Sequence, residues 1–338
     1  MKAMVLNAPN SVAYEDVGLP GKDASEVLIK VTHTGMCGTD LKIYQGGIPV
    51  GYPLIMGHES VGEVAGDSNG FNADTKVIVD PALSCGACYN CRAGQPNICP
   101  NGGLIGRDRN GGFAEYLTAP AGNVFALPEE VSGDEAPLIQ PMTTCLHAQR
   151  LARIIPGEAV IVMGLGVTGL LHIQLAKAHG AYPVIGITRS GWKRELAEKL
   201  GADFTFAPDD TMLKRVQSIT EGRGADVVIE SVGKLSVLSQ AIQLARLGGR
   251  IVPFGIYTEK EGSLPFYDLY FKELAVVNAR VAKAEDYPAC IDFVKRGVVQ
   301  LKPLISHTLG LDEMNKALEM LDSGDSNRMK IILDHTRL

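Results

Sequence analysis

The sequence lacks any apolar run close to the roughly 20 residues that a membrane-spanning helix needs. At its N-terminus it also lacks the charged segment and apolar leader that direct secretion. Positive charge is not in excess, since 32 Lys and Arg stand against 38 Asp and Glu. A nucleic-acid-binding surface normally concentrates Lys and Arg. We therefore expect a soluble, cytoplasmic protein with no membrane or nucleic-acid partner.

Internal repeats and low-complexity tracts are absent too, and a hydrophobic content of 46% excludes a mainly disordered protein. A chain of 338 residues is long enough for two domains with separate cores. From Met1 to about Ala126, short alternating or apolar runs are broken by Gly and Pro, which predicts a β-rich domain. The clearest runs are Glu26 to Thr32, Ser60 to Ala65, Lys76 to Val79 and Phe113 to Thr118.

From about Ala136 onward, strands alternate with long helical patterns, which is typical of a parallel, doubly wound sheet. Six strands are predicted there, as in a full dinucleotide-binding fold: Ala159 to Met163, Pro183 to Ile187, Asp203 to Phe206, Asp226 to Glu230, Arg250 to Phe254 and Leu274 to Val277. Beyond Lys283 the alternation ends, so we expect the chain to return to the first domain. The predicted fold is α/β, with a β-rich domain beside a six-stranded parallel sheet.

Four cysteines, Cys85, Cys88, Cys91 and Cys99, form a C-x2-C-x2-C-x7-C pattern in a segment without apolar periodicity. Two-residue gaps let neighbouring thiolates point at one tetrahedral zinc ion from a tight turn. Two disulfides are the alternative, but cysteines only three apart rarely reach disulfide geometry, and the sequence shows no secretory signal. The spacing therefore predicts a structural zinc site.

A second group of candidate ligands precedes this cluster: Cys37, then the adjacent pair His58 and Glu59. Taken alone, these residues are equally typical of an ordinary core and surface. Beside a four-cysteine cluster they suggest a catalytic zinc, which needs about three protein ligands and one position open to water or substrate. We predict that Cys37, His58 and Glu59 supply those ligands.

A glycine-rich loop indicates a dinucleotide cofactor. Gly164, Gly166 and Gly169 form GxGxxG between a predicted strand and a predicted helix, a context that makes the motif far more specific. The first glycine permits the tight turn, the second admits the pyrophosphate, and the third allows close helix packing. The backbone amides at the N-terminus of the following helix, beginning at Val167, would then face the phosphates of the cofactor.

The next strand ends in Thr188, Arg189 and Ser190, where an NAD enzyme carries an acid for the ribose hydroxyls. Arg189 can neutralise a ribose phosphate, Thr188 and Ser190 can donate hydrogen bonds to it, and Arg194 follows a turn later. The alternative is that Lys193 and Arg194 solvate a helix face. The pattern predicts a preference for NADP, with NAD also usable.

These motifs occur together in the order of a known family. With Gly-Met-Cys-Gly-Thr-Asp at 35–40, Gly-His-Glu-Ser-Val-Gly at 57–62, the four cysteines and the 164–169 loop, the sequence resembles the zinc-dependent medium-chain alcohol dehydrogenases, especially the polyol and sugar branch. The resemblance covers nearly the whole chain. It implies a GroES-like zinc-binding catalytic domain of residues 1–141 and 285–338, with a Rossmann domain of residues 142–284 inserted in it.

The resemblance also assigns roles to single residues. Cys37 and His58 match catalytic zinc ligands, Glu59 matches a ligand or a group that exchanges with water, and Thr39 matches the hydroxyl that starts the proton relay. Gln140 stands where classical members have a zinc cysteine and the polyol branch has Glu, and it is implied as a weaker ligand. Thr144 and Lys330 match residues that contact the cofactor; the alternatives are a helix-facing hydroxyl for Thr144 and a solvated lysine for Lys330.

The implied reaction is reversible hydride transfer between an alcohol, such as a polyol, sugar or secondary alcohol, and NADP, with one catalytic and one structural zinc per chain. Family members assemble as homodimers or homotetramers. A threonine 3-dehydrogenase-like activity is an alternative, although Lys42 stands where that branch has His. A non-catalytic nucleotide-binding sensor is a third hypothesis, opposed by the intact Cys37, Thr39 and His58.

Overall fold

The computed structural model of the chain describes residues 1–324 and 327–337. The chain divides into two compact units. Unit 1 comprises Met1–Thr143, Val281–Arg296 and Leu301–Leu338, and unit 2 comprises Thr144–Arg280 with Gly297–Gln300. In the described residues, no helix has the length and apolar character needed to cross a bilayer.

The first part of the chain is mainly strands and short helices. In order, they are β1 Lys2–Ala8, β2 Ser11–Asp16, β3 Glu26–Met36, α1 Gly38–Tyr44, β4 Leu54–Ile55, β5 Glu59–Val64, β6 Lys76–Val79, β7 Ala82–Leu83, α2 Tyr89–Arg92, β8 Gly103–Leu104, β9 Tyr116–Pro120, β10 Val124–Ala126 and α3 Ile139–Ala152.

The remainder alternates strands with helices before a final return to strands. In order, the elements are β11 Val160–Met163, α4 Val167–Ala178, β12 Val184–Ile187, α5 Gly191–Lys199, β13 Phe204–Phe206, α6 Met212–Ile219, β14 Ala225–Glu230, α7 Leu235–Leu244, β15 Ala245–Pro253, α8 Phe266–Phe271, β16 Ala275–Val276, α9 Asp286–Lys295, β17 Ile305–Gly310, α10 Met314–Asp322 and β18 Lys330–Asp334.

The largest sheet of unit 1 joins distant parts of the sequence. Its strands run in the order β10, β6, β5, β3, β18 and β17, and β9 also pairs with β3. β18 pairs antiparallel with β3, with Ile331 opposite Met36. Ile331, Leu333 and Met36 lie in one buried apolar cluster. Every residue of β18 is buried, so this strand contributes buried side chains to both faces of the sheet. The pairing brings Lys330 to the end of β3.

Unit 2 contains a parallel sheet of six strands in the order β13, β12, β11, β14, β15 and β16. Every residue of β11, β12 and β14 is buried, which explains why they form continuous apolar runs rather than alternating ones. The strand order reverses between β11 and β14, the kind of position where open α/β sheets bind ligands. The predicted doubly wound sheet is confirmed.

One predicted run is a strand only in its second half. The sequence pattern placed a strand at Phe113 to Thr118, whereas β9 spans Tyr116–Pro120. Phe113 is fully buried, and its backbone bonds to residues outside β3: its N–H donates to the Met56 carbonyl, and its carbonyl accepts from Met4. The apolar run is therefore a loop with a buried anchor that leads into the strand.

Buried histidines should make the fold acid-sensitive. Burial lowers the pKa of both His172 and His335 to about 3, so both rings are neutral in the folded chain. The unfolded chain takes up protons below about pH 6.5, so stability is full above that pH and falls toward about pH 3, by about 1.4 kcal/mol per pH unit for each histidine. We expect His335→Asn to flatten the decline in urea midpoint between about pH 7 and about pH 5. An unchanged pH slope in this variant would contradict the assignment.

Candidate functional site

The four-cysteine lobe, residues 85–99, brings its thiols to one point. Sulfur separations are 3.5 Å for Cys88 to Cys91, 3.7 Å for Cys88 to Cys99 and 3.5 Å for Cys99 to Cys85. Four thiolates at about 2.3 Å from one zinc ion stand about 3.8 Å apart, so the separations fit a tetrahedral zinc site. All four thiols are free rather than bridged, as the zinc prediction requires.

Backbone amides contribute to the metal-binding form of this lobe. The Cys85 sulfur accepts hydrogen bonds from the backbone N–H groups of Ala87 and Cys88, and together with the Cys99 thiol they lower the pKa of Cys85 to about 6. The thiolate is the form that binds metals. The turn that the two-residue gaps impose therefore supplies both the geometry and part of the charge stabilisation.

The second candidate centre gathers Cys37, His58 and Glu59, whose ligand atoms all lie within 4.8 Å of one another. Cys37 precedes α1 directly after β3, and Glu59 is the first residue of β5. Because β3 and β5 pair with Gly35 opposite Glu59, the end of one strand meets the start of the other. A Cβ atom on Gly35 would lie 2.0 Å from Glu59 Oε2, so any other residue here would displace the carboxylate from its present position.

Asp40 orients two of these candidate ligands, and the sequence reasoning missed it. This fully buried carboxylate accepts from the Cys37 backbone N–H at 2.8 Å and stands 3.2 Å from His58 Nδ1. Such a partner fixes the ring and leaves Nε2 for a metal. Its position three residues after Cys37, at the end of the first turn of α1, was the available signal.

Charge around His58 links metal binding to pH. Burial disfavours a protonated ring, but Asp40 and Cys37 outweigh it and raise the pKa of His58 well above the usual value. A metal that binds this ring must displace a proton, so metal affinity at the centre increases with pH.

Lys330 lies against this centre. Its ammonium donates to Glu59 Oε1 at 2.6 Å and to the Met36 carbonyl at 2.9 Å, and it also forms an ion pair with Glu59 Oε2. Lys330 is 4% exposed and Glu59 1%, so each neutralises the other's buried charge. The sequence assigned Lys330 to the cofactor, and the structure gives it this additional, unforeseen partner.

Two further predicted residues belong to unit 1. Thr39 is half-buried in the first turn of α1, two residues after Cys37. Gln140 is buried in the first turn of α3, where its backbone carbonyl accepts from the Thr143 hydroxyl at 2.6 Å. Their contacts with substrate or metal stay predictions.

The nucleotide loop has the conformation that its glycines were predicted to allow. Gly164 follows β11 with a φ of +90°, which is favourable only for glycine. A Cβ atom on Gly169 would lie 1.9 Å from the Gly164 carbonyl oxygen. Gly166 precedes α4, whose first residue is Val167, so the backbone amides of the helix N-terminus are available to an anion.

A cavity of about 400 Å³ lies beside this loop. Its lining includes Gly164, Thr188 and Arg189, together with Lys234, which the sequence reasoning missed because it lies about 45 residues beyond the expected phosphate site. Arg189 and Lys234 are exposed cations on this cavity. They give it the charge that a nucleotide phosphate requires.

The other predicted cofactor residues, Arg194, Ser190 and Thr144, are not part of the cavity lining. Arg194 Nη1 donates to the carbonyls of Thr188 and Arg189, at 2.9 and 3.0 Å, so it stabilises the backbone of the segment that follows β12. Ser190 precedes α5, and its side chain makes no capping hydrogen bond. Thr144 is half-buried in α3. Their contacts with a cofactor stay predictions.

Asp40 provides a direct test of the metal centre. Asp40→Asn keeps the shape but removes the charge that holds His58, and we expect a loss of metal affinity of about 10- to 100-fold at the centre. The four-cysteine lobe should keep its zinc, because Asp40 does not contact it. Zinc content after dialysis against graded chelator concentrations measures both sites, and equal losses at both would contradict the assigned role.

Two family models match the chain, one in each half. The family model described as the alcohol dehydrogenase GroES-like domain matches residues 23–129, and the one described as zinc-binding dehydrogenase matches residues 167–296. L-threonine 3-dehydrogenase of Pyrococcus abyssi is 36% identical over 329 residues, covering 94% of each chain. Sorbitol dehydrogenase of Halalkalibacterium halodurans is 32% identical over 341 residues, covering 98% of this chain and 99% of that one.

Two solved structures superpose on nearly the whole chain. A zinc-binding dehydrogenase of Sinorhizobium meliloti bound to NADP superposes with a TM-score of 0.90, at 32% identity and 98% coverage of both chains. The RspB dehydrogenase of Escherichia coli in complex with NADH has a TM-score of 0.92, at 30% identity and 99% coverage of both chains.

Proposed function

Because the chain belongs to the zinc-dependent medium-chain alcohol dehydrogenase family, we propose that it oxidises a polyol, sugar or secondary alcohol with NADP, reversibly, to the ketone, aldehyde or lactone. The observation that carries the proposal is the convergence of Cys37, His58 and Glu59 at one point, with Asp40 behind them. Residues 1–141 and 285–338 would form the catalytic domain, and residues 142–284 the nucleotide-binding domain.

The residues at the centre have distinct roles in this proposal. Cys37 and His58 would hold zinc, Glu59 would be a third ligand or alternate with water, and Gln140 would be a weaker ligand. When bound, zinc supplies a Lewis acid that lowers the pKa of an alcohol. Thr39 would accept the proton of the substrate hydroxyl and pass it toward solvent. The redox chemistry is that of the nicotinamide, which the protein binds and orients.

The NADP preference rests on the cavity beside the nucleotide loop. Arg189 and Lys234 give it positive charge, Thr188 supplies a hydroxyl, and no acid ends β12. Ser190, Arg194 and Thr144 would add contacts, as would Lys330 at the pyrophosphate. The two structural relatives carry NADP and NADH respectively, so the preference is argued from the residues of this chain.

A threonine dehydrogenase activity is the second candidate, favoured by the 36% identity to the Pyrococcus enzyme. Lys42 opposes it, because that branch carries His at this position. Initial rates with polyols, aldoses, threonine and simple secondary alcohols, each with NADP and with NAD, separate the candidates. We expect NADP-dependent turnover of a polyol, sugar or secondary alcohol. Turnover confined to threonine would replace the first proposal by the second.

Self-association through unit 2 completes the proposal. β16 ends the parallel sheet, and its two residues are exposed. The preceding helix α8 exposes large aromatic side chains: Phe266 67%, Tyr267 71%, Tyr270 79% and Phe271 61%. An unpaired edge beside an apolar patch favours association with a second copy. We propose a homodimer or homotetramer. Light scattering, which compares the molar mass of Tyr270→Lys with that of the parent chain, tests this proposal.

A further inference from the structure

The residue before His58 is enclosed by a distant loop. Gly57 has a φ of +95°, and a Cβ atom on it would lie 2.7 Å from the Phe113 ring. A Cβ atom on Gly106 would lie 2.5 Å from the Gly57 carbonyl oxygen, and one on Gly111 would lie 2.2 Å from it. The backbone at Gly106 and Gly111 therefore packs directly against the Gly57 carbonyl, with no side chain between them.

Hydrogen bonds hold the same contact. Gly111 N–H donates to the Ile55 carbonyl at 2.7 Å, Gly112 N–H to the Gly57 carbonyl at 2.9 Å, and Phe113 N–H to the Met56 carbonyl at 3.0 Å. Three consecutive carbonyls before His58 are thus fixed by three consecutive amides. Buried backbone bonds of this kind leave His58 little freedom to shift.

The opposite end of the loop reaches the four-cysteine lobe. Gly102 N–H donates to the Cys99 carbonyl at 3.2 Å, and a Cβ atom on Gly102 would lie 2.4 Å from the Leu83 carbonyl oxygen. β8 follows directly and pairs with β7. Asp108 Oδ2 then accepts from Leu104 N–H at 2.7 Å and ties this strand to the turn at residues 106–108, which carries Gly106.

We propose that residues 102–113, here named the clamp, position His58 and connect the four-cysteine lobe to the Cys37–His58–Glu59 centre. The inference rests on the proposed metal role of that centre. Zinc in the lobe would hold Cys99 and hence one end of the clamp, while the other end holds Gly57. The lobe then contributes to metal affinity at a centre that it does not touch, through one continuous stretch of backbone contacts.

Gly111→Ala tests the clamp at Gly57. The added methyl must displace the Gly57 carbonyl, so we expect cobalt(II) or zinc to bind the centre at least about 10-fold more weakly, while the lobe keeps its zinc. Gly122→Ala is the matched control, because a Cβ atom there meets no described atom within 4 Å. It should bind both metals like the parent chain. Chelator competition followed by the cobalt absorption spectrum gives affinity without relying on turnover.

Asp108→Ala tests the middle of the clamp with little risk to folding, since the side chain is 45% exposed. Loss of its hydrogen bond to Leu104 should weaken metal binding at the centre by about 3- to 10-fold. Parent affinity in both variants, or equal loss of both metals together with a lower melting temperature, would overturn the proposal. A parent chain that binds two metals but oxidises no alcohol would instead refute the proposed function.

Discussion

His58→Ala is expected to lower alcohol turnover by at least about 1,000-fold, because the Lewis acid that it helps to hold supplies several kcal/mol of catalysis. The variant should contain one zinc per chain rather than two, since the four thiols of the lobe do not depend on this ring. Metal analysis and initial rates on the same preparation measure both effects.

His307→Ala is the matched control for this experiment. His307 is a half-buried histidine of unit 1 on β17, with its Nδ1 2.9 Å from the Ser306 hydroxyl and no place in either metal group of the described residues. It should keep two zinc ions and parent turnover. Retention of both zinc ions by His58→Ala would show that this ring is not a metal ligand.

Arg189→Ala is expected to reduce kcat/KM for NADP by about 10- to 100-fold, the effect of losing a charge-assisted hydrogen bond to phosphate. The value for NAD should change little, because NAD carries no ribose phosphate for Arg189 to bind. The measurement is kcat/KM for both cofactors at a fixed alcohol concentration.

Arg223→Ala controls for the loss of one positive charge from unit 2. Arg223 is exposed and lies outside the lining of the cofactor cavity. It should leave both cofactors unaffected. Equal losses for NADP and NAD in Arg189→Ala would mean that this residue supports the fold of the loop and does not select the cofactor.

Local motifs made much of this protein predictable. The spacing of Cys85, Cys88 and Cys91 fixes a turn that points thiols to one side, and the structure shows that turn. The glycines of the nucleotide loop are likewise explained locally, Gly164 by its φ of +90° and Gly169 by its approach to the Gly164 carbonyl oxygen. Continuous apolar runs revealed the parallel strands, because both faces of that sheet are buried.

Tertiary contacts account for what the sequence did not reveal. Lys330 meets Glu59 across 271 positions only because β18 pairs with β3. Phe113 lies in an apolar run that resembles a strand, and only the packing against Gly57 shows that it anchors a loop. No periodicity in a single sequence encodes such partners, since each depends on which strands become neighbours.

Zinc at the Cys37–His58–Glu59 centre should be required for NADP-dependent alcohol oxidation. The most direct measurement removes zinc stepwise with a chelator and follows metal content and NADP-dependent rate in the same samples. We expect activity to fall in proportion to loss of the more weakly held of two zinc ions and to return when zinc is restored. Activity that persists after that ion has left would show that zinc at this centre is not required.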